Sequence, residues 1–249
     1  MFRSSSKRAA EFLVRTSIRI PSGTRKKRSN SMIKRSGVLT AIGAAVASVA
    51  LAVPSAIAAP SSWTITPTGN FTGSAGVTVL TDNNGNKIQC ATSAASGNAP
   101  TSPVSGSPAQ LASISAISFN SPCTGPFSST WTVTTTPPWQ IWGLDYAAGA
   151  GTNSTGQTTG EIRAIKAKVT GSSLLGPCTF DVTGKVAAKY NNPSTGGSNG
   201  TLNTAGGGLT LAIANKVGGG CGIVGTTASF QGLYTIVNTA TGKSPVISG

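Results

Sequence analysis

Apolar and polar side chains alternate with a period of two in several short stretches between residues 77 and 237. The alternation is clear at 180–189 and at 130–136, and β-branched residues fill much of the second stretch. In a strand, this period puts successive side chains on opposite faces, so that one face can pack against a core. The pattern predicts strands at 77–80, 87–90, 114–119, 130–136, 161–169, 180–189, 209–213 and 230–237.

The segment 161–169 is the least clear of these strands, because its alternation is imperfect and a short helix would also fit. Gly160 and Gly171 bracket the segment, which favours a strand. Between the first two strands, an Asn-Gly dipeptide accepts the positive φ angles of a tight hairpin turn. The Ser- and Gly-rich stretches at 93–108 and 193–208 are predicted to be loops.

The predicted strands are short, numerous and separated by turn residues at fairly regular intervals. This arrangement is typical of antiparallel sandwiches and barrels. The 249-residue chain leaves 191 residues after residue 58, which is within the usual size of one domain. We therefore expect a single all-β domain over 59–249, built as an antiparallel β-sandwich or barrel.

Residues 1–58 have the three-part pattern of an export signal. A basic stretch ends at Arg35, an uncharged apolar run of 16 residues follows at 38–53, and Ala56 and Ala58 are the small residues that a signal peptidase requires. The apolar run is short for a membrane-spanning helix, which is the alternative interpretation. We expect a basic leader and a signal peptide that is cleaved after Ala58.

The high net charge of the chain belongs mostly to this leader. The whole chain carries +14, but eleven of its 19 basic residues precede residue 36, where only Glu11 opposes them. Residues 59–249 keep eight basic and four acidic residues, a net charge of +4 without a basic cluster, so nucleic acid is not an expected partner. Met32 opens a signal peptide of ordinary length: translation either starts there or produces a genuine extended leader.

Four cysteines lie in residues 59–249, and an even number in an exported chain indicates two disulfides. Four cysteines allow three pairings. A faint internal repeat favours one of them, because Leu111 precedes Cys123 by 12 residues, as Leu209 precedes Cys221. Each half of the domain would then carry its own bridge. The expected bridges are Cys90–Cys123 and Cys178–Cys221.

Several short motifs follow one another in a specific order over residues 63–237. They are Cys90-Ala-Thr-Ser, Ile117-Ser-Phe-Asn-Ser-Pro-Cys123-Thr-Gly-Pro, Pro138-Trp139, Gly156-Gln-Thr-Thr-Gly160-Glu-Ile, Cys178-Thr-Phe-Asp-Val-Thr-Gly184, Tyr190-Asn-Asn, Gly220-Cys221-Gly and Ala228-Ser-Phe-Gln-Gly-Leu-Tyr234. In this order they resemble uncharacterised secreted proteins of actinobacteria, Streptomyces-like, with a four-cysteine β-rich domain. The resemblance implies export and a β-rich domain, and it implies no activity.

Residues 59–249 offer little for catalysis. The chain contains no histidine, which excludes a His-dependent dyad or triad. Asp82, Asn84 and Asn86 resemble the start of a calcium loop, but no glutamate closes the loop and a hairpin turn fits better. The carboxylates are expected to be solvated surface charges, and we expect no catalytic residue, cofactor or metal. These carboxylates are Asp82, Asp145, Glu161 and Asp181.

Aromatic side chains concentrate in one short segment of a chain that is poor in them. Four of them fall within the 16 residues 131–146, where two consecutive prolines stiffen the backbone. Exposed rings on a rigid β scaffold can stack on sugar rings, which makes Trp139, Trp142 and Tyr146 candidate binding residues. The alternative is that these rings fill the core, since Trp is highly buried on average.

Because ionisable chemistry is nearly absent, we expect a non-catalytic protein that is secreted and extracellular or cell-wall-associated. The alternative is a module that binds a glycan or an apolar ligand through its aromatic residues. A cell-wall polysaccharide or another extracellular molecule is the expected partner. A membrane would be contacted only through an uncleaved signal segment, and the sequence leaves the oligomeric state open.

Overall fold

A computed structural model describes residues 59–249, apart from 153, 174 and 209. The expected signal peptide, with Met32 and the cleavage site after Ala58, lies outside these residues. The described residues form seventeen strands and two short 3-10 helices, at Pro126–Ser128 and Gly219–Ile223. The strands are β1 (Ser62–Thr66), β2 (Gly69–Ala75), β3 (Thr78–Asp82), β4 (Lys87–Cys90), β5 (Ser93–Ala99), β6 (Val104–Ser105), β7 (Ala109–Phe119), β8 (Cys123–Thr124), β9 (Thr130–Thr135), β10 (Trp139–Ala147), β11 (Gln157–Ser173), β12 (Gly176–Asn191), β13 (Gly200–Asn203), β14 (Leu211–Val217), β15 (Thr227–Gln231), β16 (Leu233–Asn238) and β17 (Val246–Ser248).

Fourteen of these strands close into an antiparallel barrel. Where two successive strands pair with the same neighbouring strand, they act together as one long strand. For example, β10 and β9 pair with successive halves of β11. Grouped in this way, the fourteen strands make eight long strands, which we call staves. They are stave 1 (β2, β3), stave 2 (β4, β5), stave 3 (β7, β8), stave 4 (β9, β10), stave 5 (β11), stave 6 (β12), stave 7 (β13, β14) and stave 8 (β15, β16).

Each stave pairs with the next one along the chain, and stave 8 closes the barrel against stave 1 through β16–β2 and β15–β3. The predicted all-β fold is therefore confirmed, and of the two predicted architectures the chain adopts the barrel. The segment 161–169 lies within β11, as the strand interpretation predicted. Closure leaves these eight staves without an unpaired outer strand, the feature through which open sheets aggregate.

Near the middle of several staves, the side chains that point into the barrel switch between odd-numbered and even-numbered residues. We call this level the waist. In stave 1, Phe71 and Ala75 point inward from β2, whereas Thr78 and Asp82 do so from β3. In stave 5, the change falls at a bulge around Ala164, whose φ is +57°. A bulge adds one residue to a strand and so moves the following side chains to the other face.

Prolines interrupt the ladder between staves 3 and 4 at the waist. The two staves pair at 109–114 with 139–143 and again at 123–124 with 130–131. Between these ladders Pro137 and Pro138 have no N–H to donate. A side-chain hydrogen bond from Thr135 Oγ1 to the carbonyl of Ile117, at 2.7 Å, connects the staves instead.

A small sheet of β17, β1 and β6 packs against the interior of the barrel at the end we call the cap end. Trp63 of β1 is fully buried, and its ring lies against Gly143, where a Cβ would be 3.0 Å from it. The side chain of Asn192 fixes β17, accepting from the N–H of Ile247 at 2.9 Å and donating to its carbonyl at 2.8 Å. Both ends of the described chain are thus held at the same end of the barrel.

The Ser- and Gly-rich stretches contain three strands, β5, β6 and β13, where the sequence predicts loops, so those predictions were wrong in part. The reason is visible at Gly97 of β5. A Cβ at this position would lie 2.1 Å from the carbonyl oxygen of Ser113 and 2.6 Å from the ring of Phe71. The small residues of β5 face large side chains on neighbouring strands, which supply the apolar material that the pattern of β5 itself lacks.

Both predicted disulfides are present, and the described residues contain no free cysteine. Cys90–Cys123 joins staves 2 and 3, and Cys178–Cys221 joins stave 6 to the connection between staves 7 and 8. Leu209, on which the repeat argument rests, lies outside the described residues. The bridges belong to one end of the barrel, which we call the disulfide end. The described residues of its turns are 83–86, 125–129, 175 and 218–226.

The predicted hairpin is formed by β3 and β4, and Asp82 holds its turn. The buried Asp82 carboxylate accepts the backbone N–H of Asn84 at 2.9 Å and those of Asn86 and Gly225 at 2.8 Å. It also accepts the side-chain amide of Asn86 at 3.0 Å. Asp82 therefore anchors two turns of the disulfide end to each other, and its oxygens are occupied by N–H donors.

Candidate functional site

The structure places the three candidate aromatic residues at different depths. Trp139 begins β10 in the barrel core with 4% of its surface exposed, whereas Trp142 and Tyr146 are half-buried. The ring–ring contacts among the described residues are Phe119 with Phe230 and Trp131 with Phe180. Trp139 therefore belongs to the core, as the alternative interpretation predicted, and the three candidate rings form no shared platform.

Trp142 lies in a polar network that crosses staves 4, 5 and 6. Its Nε1 donates to Gln140 Oε1 at 3.0 Å, and the guanidinium carbon of Arg163 lies 4.5 Å from its ring centroid. Arg163 Nε donates to Glu161 Oε2, and Lys185 Nζ donates to Glu161 Oε1, both at 2.7 Å. The Arg163 cation–π contact covers one face of the indole, so a sugar ring could reach only the other.

The same network sets the charge state of Glu161. Its partial burial alone would raise the pKa, but hydrogen bonds from Lys185 and Arg163, with the charges of both cations, outweigh burial and lower the pKa below its ordinary value. Glu161 is therefore ionised at neutral pH. A carboxylate in this state is a poor proton donor, and its two oxygens are already occupied.

The other carboxylates are similarly engaged. Lys168 donates to Asp181 Oδ1 and Asn215 to Oδ2, both at 2.8 Å, and these hydrogen bonds lower the pKa of Asp181. Asp145 Oδ1 accepts the backbone N–H of Tyr146 at 2.8 Å. Together with Asp82, each Asp and Glu side chain among the described residues accepts at least one hydrogen bond.

Two buried tyrosines are also tied into the fold. The Tyr234 hydroxyl lies 2.8 Å from Ser93 Oγ, and burial raises the pKa of Tyr234 to about 12. The Tyr190 hydroxyl donates to the carbonyl of Pro245 at 2.5 Å, and burial raises the pKa of this phenol as well. Both phenols therefore stay protonated near neutral pH, and both hydroxyls are bound within the fold.

The barrel interior is filled by side chains. Its larger internal cavities, one at the waist and one toward the cap end, measure about 50 Å³ each. By comparison, a cavity that holds benzene is about 150 Å³ and ordinary ligand pockets begin at about 300 Å³. Trp139 and Thr78 border the waist cavity, and Trp139 Nε1 and Thr78 Oγ1 are buried without a hydrogen-bond partner. The interior is thus a core with small packing defects rather than a ligand pocket.

Large apolar side chains are exposed on the turns of the disulfide end, and the sequence analysis singled out none of them. Phe127 lies between staves 3 and 4, Leu175 between staves 5 and 6, and Val217 ends stave 7; they are 69%, 61% and 68% exposed. The sequence does place apolar residues within predicted turns, but such residues are unusual without being diagnostic of exposure, so they could not have been predicted to be exposed. The barrel topology is what brings these three positions to one end.

The backbone that carries Phe127 is unusual. Phe127 and Ser128 have φ angles of +56° and +58°, in the left-handed region that bulky residues rarely occupy. The turn is closed by hydrogen bonds from Gly125 N to the carbonyl of Ser129 at 2.7 Å and from Ser129 Oγ to the carbonyl of Pro126 at 2.6 Å. This turn directs the Phe127 ring away from the barrel.

The chain matches no protein-family model, no curated protein and no solved structure. Among the described residues, no three His, Cys, Asp or Glu side chains are grouped so that they could hold a metal ion. None of the helices in this part of the chain has the length and apolar character needed to cross a bilayer.

Proposed function

We propose that the protein is a secreted, non-catalytic barrel that acts outside the cell or in the cell wall in a structural or interaction-mediating role. The observation that carries the proposal is that the carboxylates and cysteines of the described residues all have structural partners. General acid–base catalysis needs a group that titrates near the working pH. The pKa values of Glu161 and Asp181 are instead lowered.

Export is supported by two independent features of the chain. Disulfides persist mainly in oxidising environments outside the cytosol, and the barrel has two of them. The basic stretch, the apolar run and the pair Ala56 and Ala58 form the expected signal peptide. We therefore assign the domain at 59–249 to the secreted product.

Fractionation of an expressing culture tests this assignment. Amino-terminal sequencing of protein from the medium or the wall fraction is expected to begin at Ala59 or Pro60. Expression from Met32 alone should give the same product if residues 1–31 are dispensable. Recovery of the full-length chain in the cytosol, with its cysteines reduced, would contradict the proposal.

Glycan binding is the second candidate function, and it rests on the half-buried Trp142 and Tyr146. Wall polysaccharide immobilised on beads provides the test. If the free face of Trp142 stacks on sugar, Trp142→Ala abolishes retention. Trp131→Phe, which alters a core ring and removes its hydrogen bond to Ser129, leaves retention unchanged. Equal retention of the wild type and Trp142→Ala would exclude this role for the indole.

A further inference from the structure

We propose that the disulfide end docks on the surface of an anionic lipid bilayer, with Phe127, Leu175 and Val217 entering the interfacial layer. The contact belongs to the folded domain itself, and it goes beyond the structural role proposed above and does not depend on export. Three features carry it: the placement of exposed apolar side chains, the fixed geometry of the turns, and the charge around them.

The apolar side chains are unevenly distributed. Six large hydrophobic residues of the described chain are exposed, and three of them lie at the disulfide end. Two others, Val77 and Leu233, lie near the waist, close in sequence to Ala75 and Tyr234, which pair across staves 1 and 8. Single exposed apolar residues are normal, but a set collected at one end marks an interaction surface.

The turns that present these side chains are held rigidly. Cys178–Cys221 ties the hairpin of Leu175 to the connection that follows Val217, and Cys90–Cys123 fixes the strand that leads to the turn of Phe127. Phe127 is kept outward by a left-handed backbone. An unfavourable backbone conformation that displays an exposed aromatic ring points to a use for that ring. Rigid display also lowers the entropy lost on binding.

The charge around these turns selects the kind of surface. The turns 83–86, 125–129 and 218–226 contain no acidic residue. Lys87 follows the first of them and Lys216 precedes the last, and both residues are exposed. Lys216 Nζ donates to the carbonyls of Val224 and Gly225, which holds its charge at the last turn.

The nearby Asp82 is buried beneath four N–H donors. The half-buried Asp181 pairs across the sheet with Ala214, three residues before Val217, and its charge is already matched by Lys168. Apolar tips flanked by cations, with the neighbouring carboxylates buried or paired, complement a surface that is apolar below and anionic above, as an acidic bilayer is.

Vesicle sedimentation with the purified domain tests the proposal. Vesicles of phosphatidylcholine with about one-third phosphatidylglycerol are the probe, and pure phosphatidylcholine vesicles measure the part due to charge. The tip variant is Phe127→Ser with Leu175→Ser. The matched control is Val77→Ser with Leu233→Ser, which removes two apolar residues at the waist that are more than half exposed. Equal melting temperatures of all three proteins establish that each one folds.

Saturable binding of the wild type to the anionic vesicles is expected. The tip variant should lose at least about tenfold in affinity, and the waist variant should retain the wild-type value. Binding should weaken on pure phosphatidylcholine and at high salt, because Lys87 and Lys216 contribute through charge.

Three outcomes would overturn the proposal. The first is absence of binding to either vesicle, and the second is an equal loss in both variants. The third is concentration-dependent dimerisation that the tip variant abolishes without vesicle binding, which would assign the surface to a second copy of the chain.

Discussion

At the scale of the residue, depth within the barrel decides what each aromatic side chain can do. Trp139 and Trp142 are three positions apart, so an extended strand must turn them to opposite faces. Trp139 is consequently buried, whereas Trp142 lies under Arg163 on the outside. The sequence could have excluded a platform that contains both rings on this ground alone, since period two was already evident in the flanking segments.

Substitutions at these two tryptophans should separate core from surface. Trp139→Ala is expected to lower the free energy of unfolding by about 3–5 kcal/mol, because it removes a buried ring. Trp142→Ala should cost less than about 1 kcal/mol at its half-exposed position. Chemical denaturation monitored by far-UV circular dichroism measures both.

A third variant isolates the indole nitrogen. Trp139→Phe keeps most of the ring and removes Nε1, which is buried without a partner, so it should cost much less than Trp139→Ala. A large loss for Trp142→Ala with none for Trp139→Ala would contradict the described positions of these rings.

At the scale of the element, complementary side-chain sizes on neighbouring strands explain why the alternation of apolar and polar residues did not predict β5. β5 looks like a loop because its inward residues are small, yet it pairs with β2 and β7 along its length. Its apolar partner is Phe71 on the adjacent stave. A period-two search that scores each segment separately cannot detect a strand whose hydrophobic complement comes from its neighbour.

Glycine substitutions test this complementarity. Gly97→Ala is expected to lower the free energy of unfolding by about 1–3 kcal/mol, because the new methyl group meets the Ser113 carbonyl and the Phe71 ring. Gly76→Ala is the matched control, since a Cβ there meets no atom within 4 Å. The two melting temperatures give the comparison, and a neutral Gly97→Ala would show that β5 can move away from β7.

The network across staves 4, 5 and 6 predicts a pH dependence. The pKa of Glu161 is lower in the folded protein than its ordinary value of 4.5, so the network stabilises the fold above that value and loses its contribution as pH falls through the folded pKa. From about pH 6 to pH 3, the wild type should lose more stability than Glu161→Gln. If the two proteins lost the same free energy of unfolding between about pH 6 and pH 3, the expected linkage would be contradicted.

At the scale of the whole molecule, the fold class and the bridges could be predicted from the sequence, but the closure of the barrel could not. The all-β class and both disulfide pairings are confirmed. The number of staves and the closure of stave 8 on stave 1 could not be predicted, because they depend on pairings between residues far apart in the chain. The apolar surface at the disulfide end was missed for the same reason, since only the topology gathers Phe127, Leu175 and Val217.

The two bridges should contribute similarly to stability. They close chain segments of 33 and 43 residues, and the entropic stabilisation grows only with the logarithm of this length, so each should contribute about 3–4 kcal/mol. The paired variants Cys90→Ser with Cys123→Ser and Cys178→Ser with Cys221→Ser measure the two contributions by denaturation. An undiminished stability in either variant would contradict the entropic account for that bridge.

Closure of the barrel also determines when the protein can become native. A ribosome delivers stave 1 first and stave 8 last, yet these two pair with each other, and β1 pairs with β17. The growing chain can build a curved sheet from staves 1 to 7, but one edge of stave 1 stays without its partner until nearly all of the sequence has emerged. The native barrel can therefore form only after the final strands are available. Until then, the incomplete chain must be kept from associating with other copies.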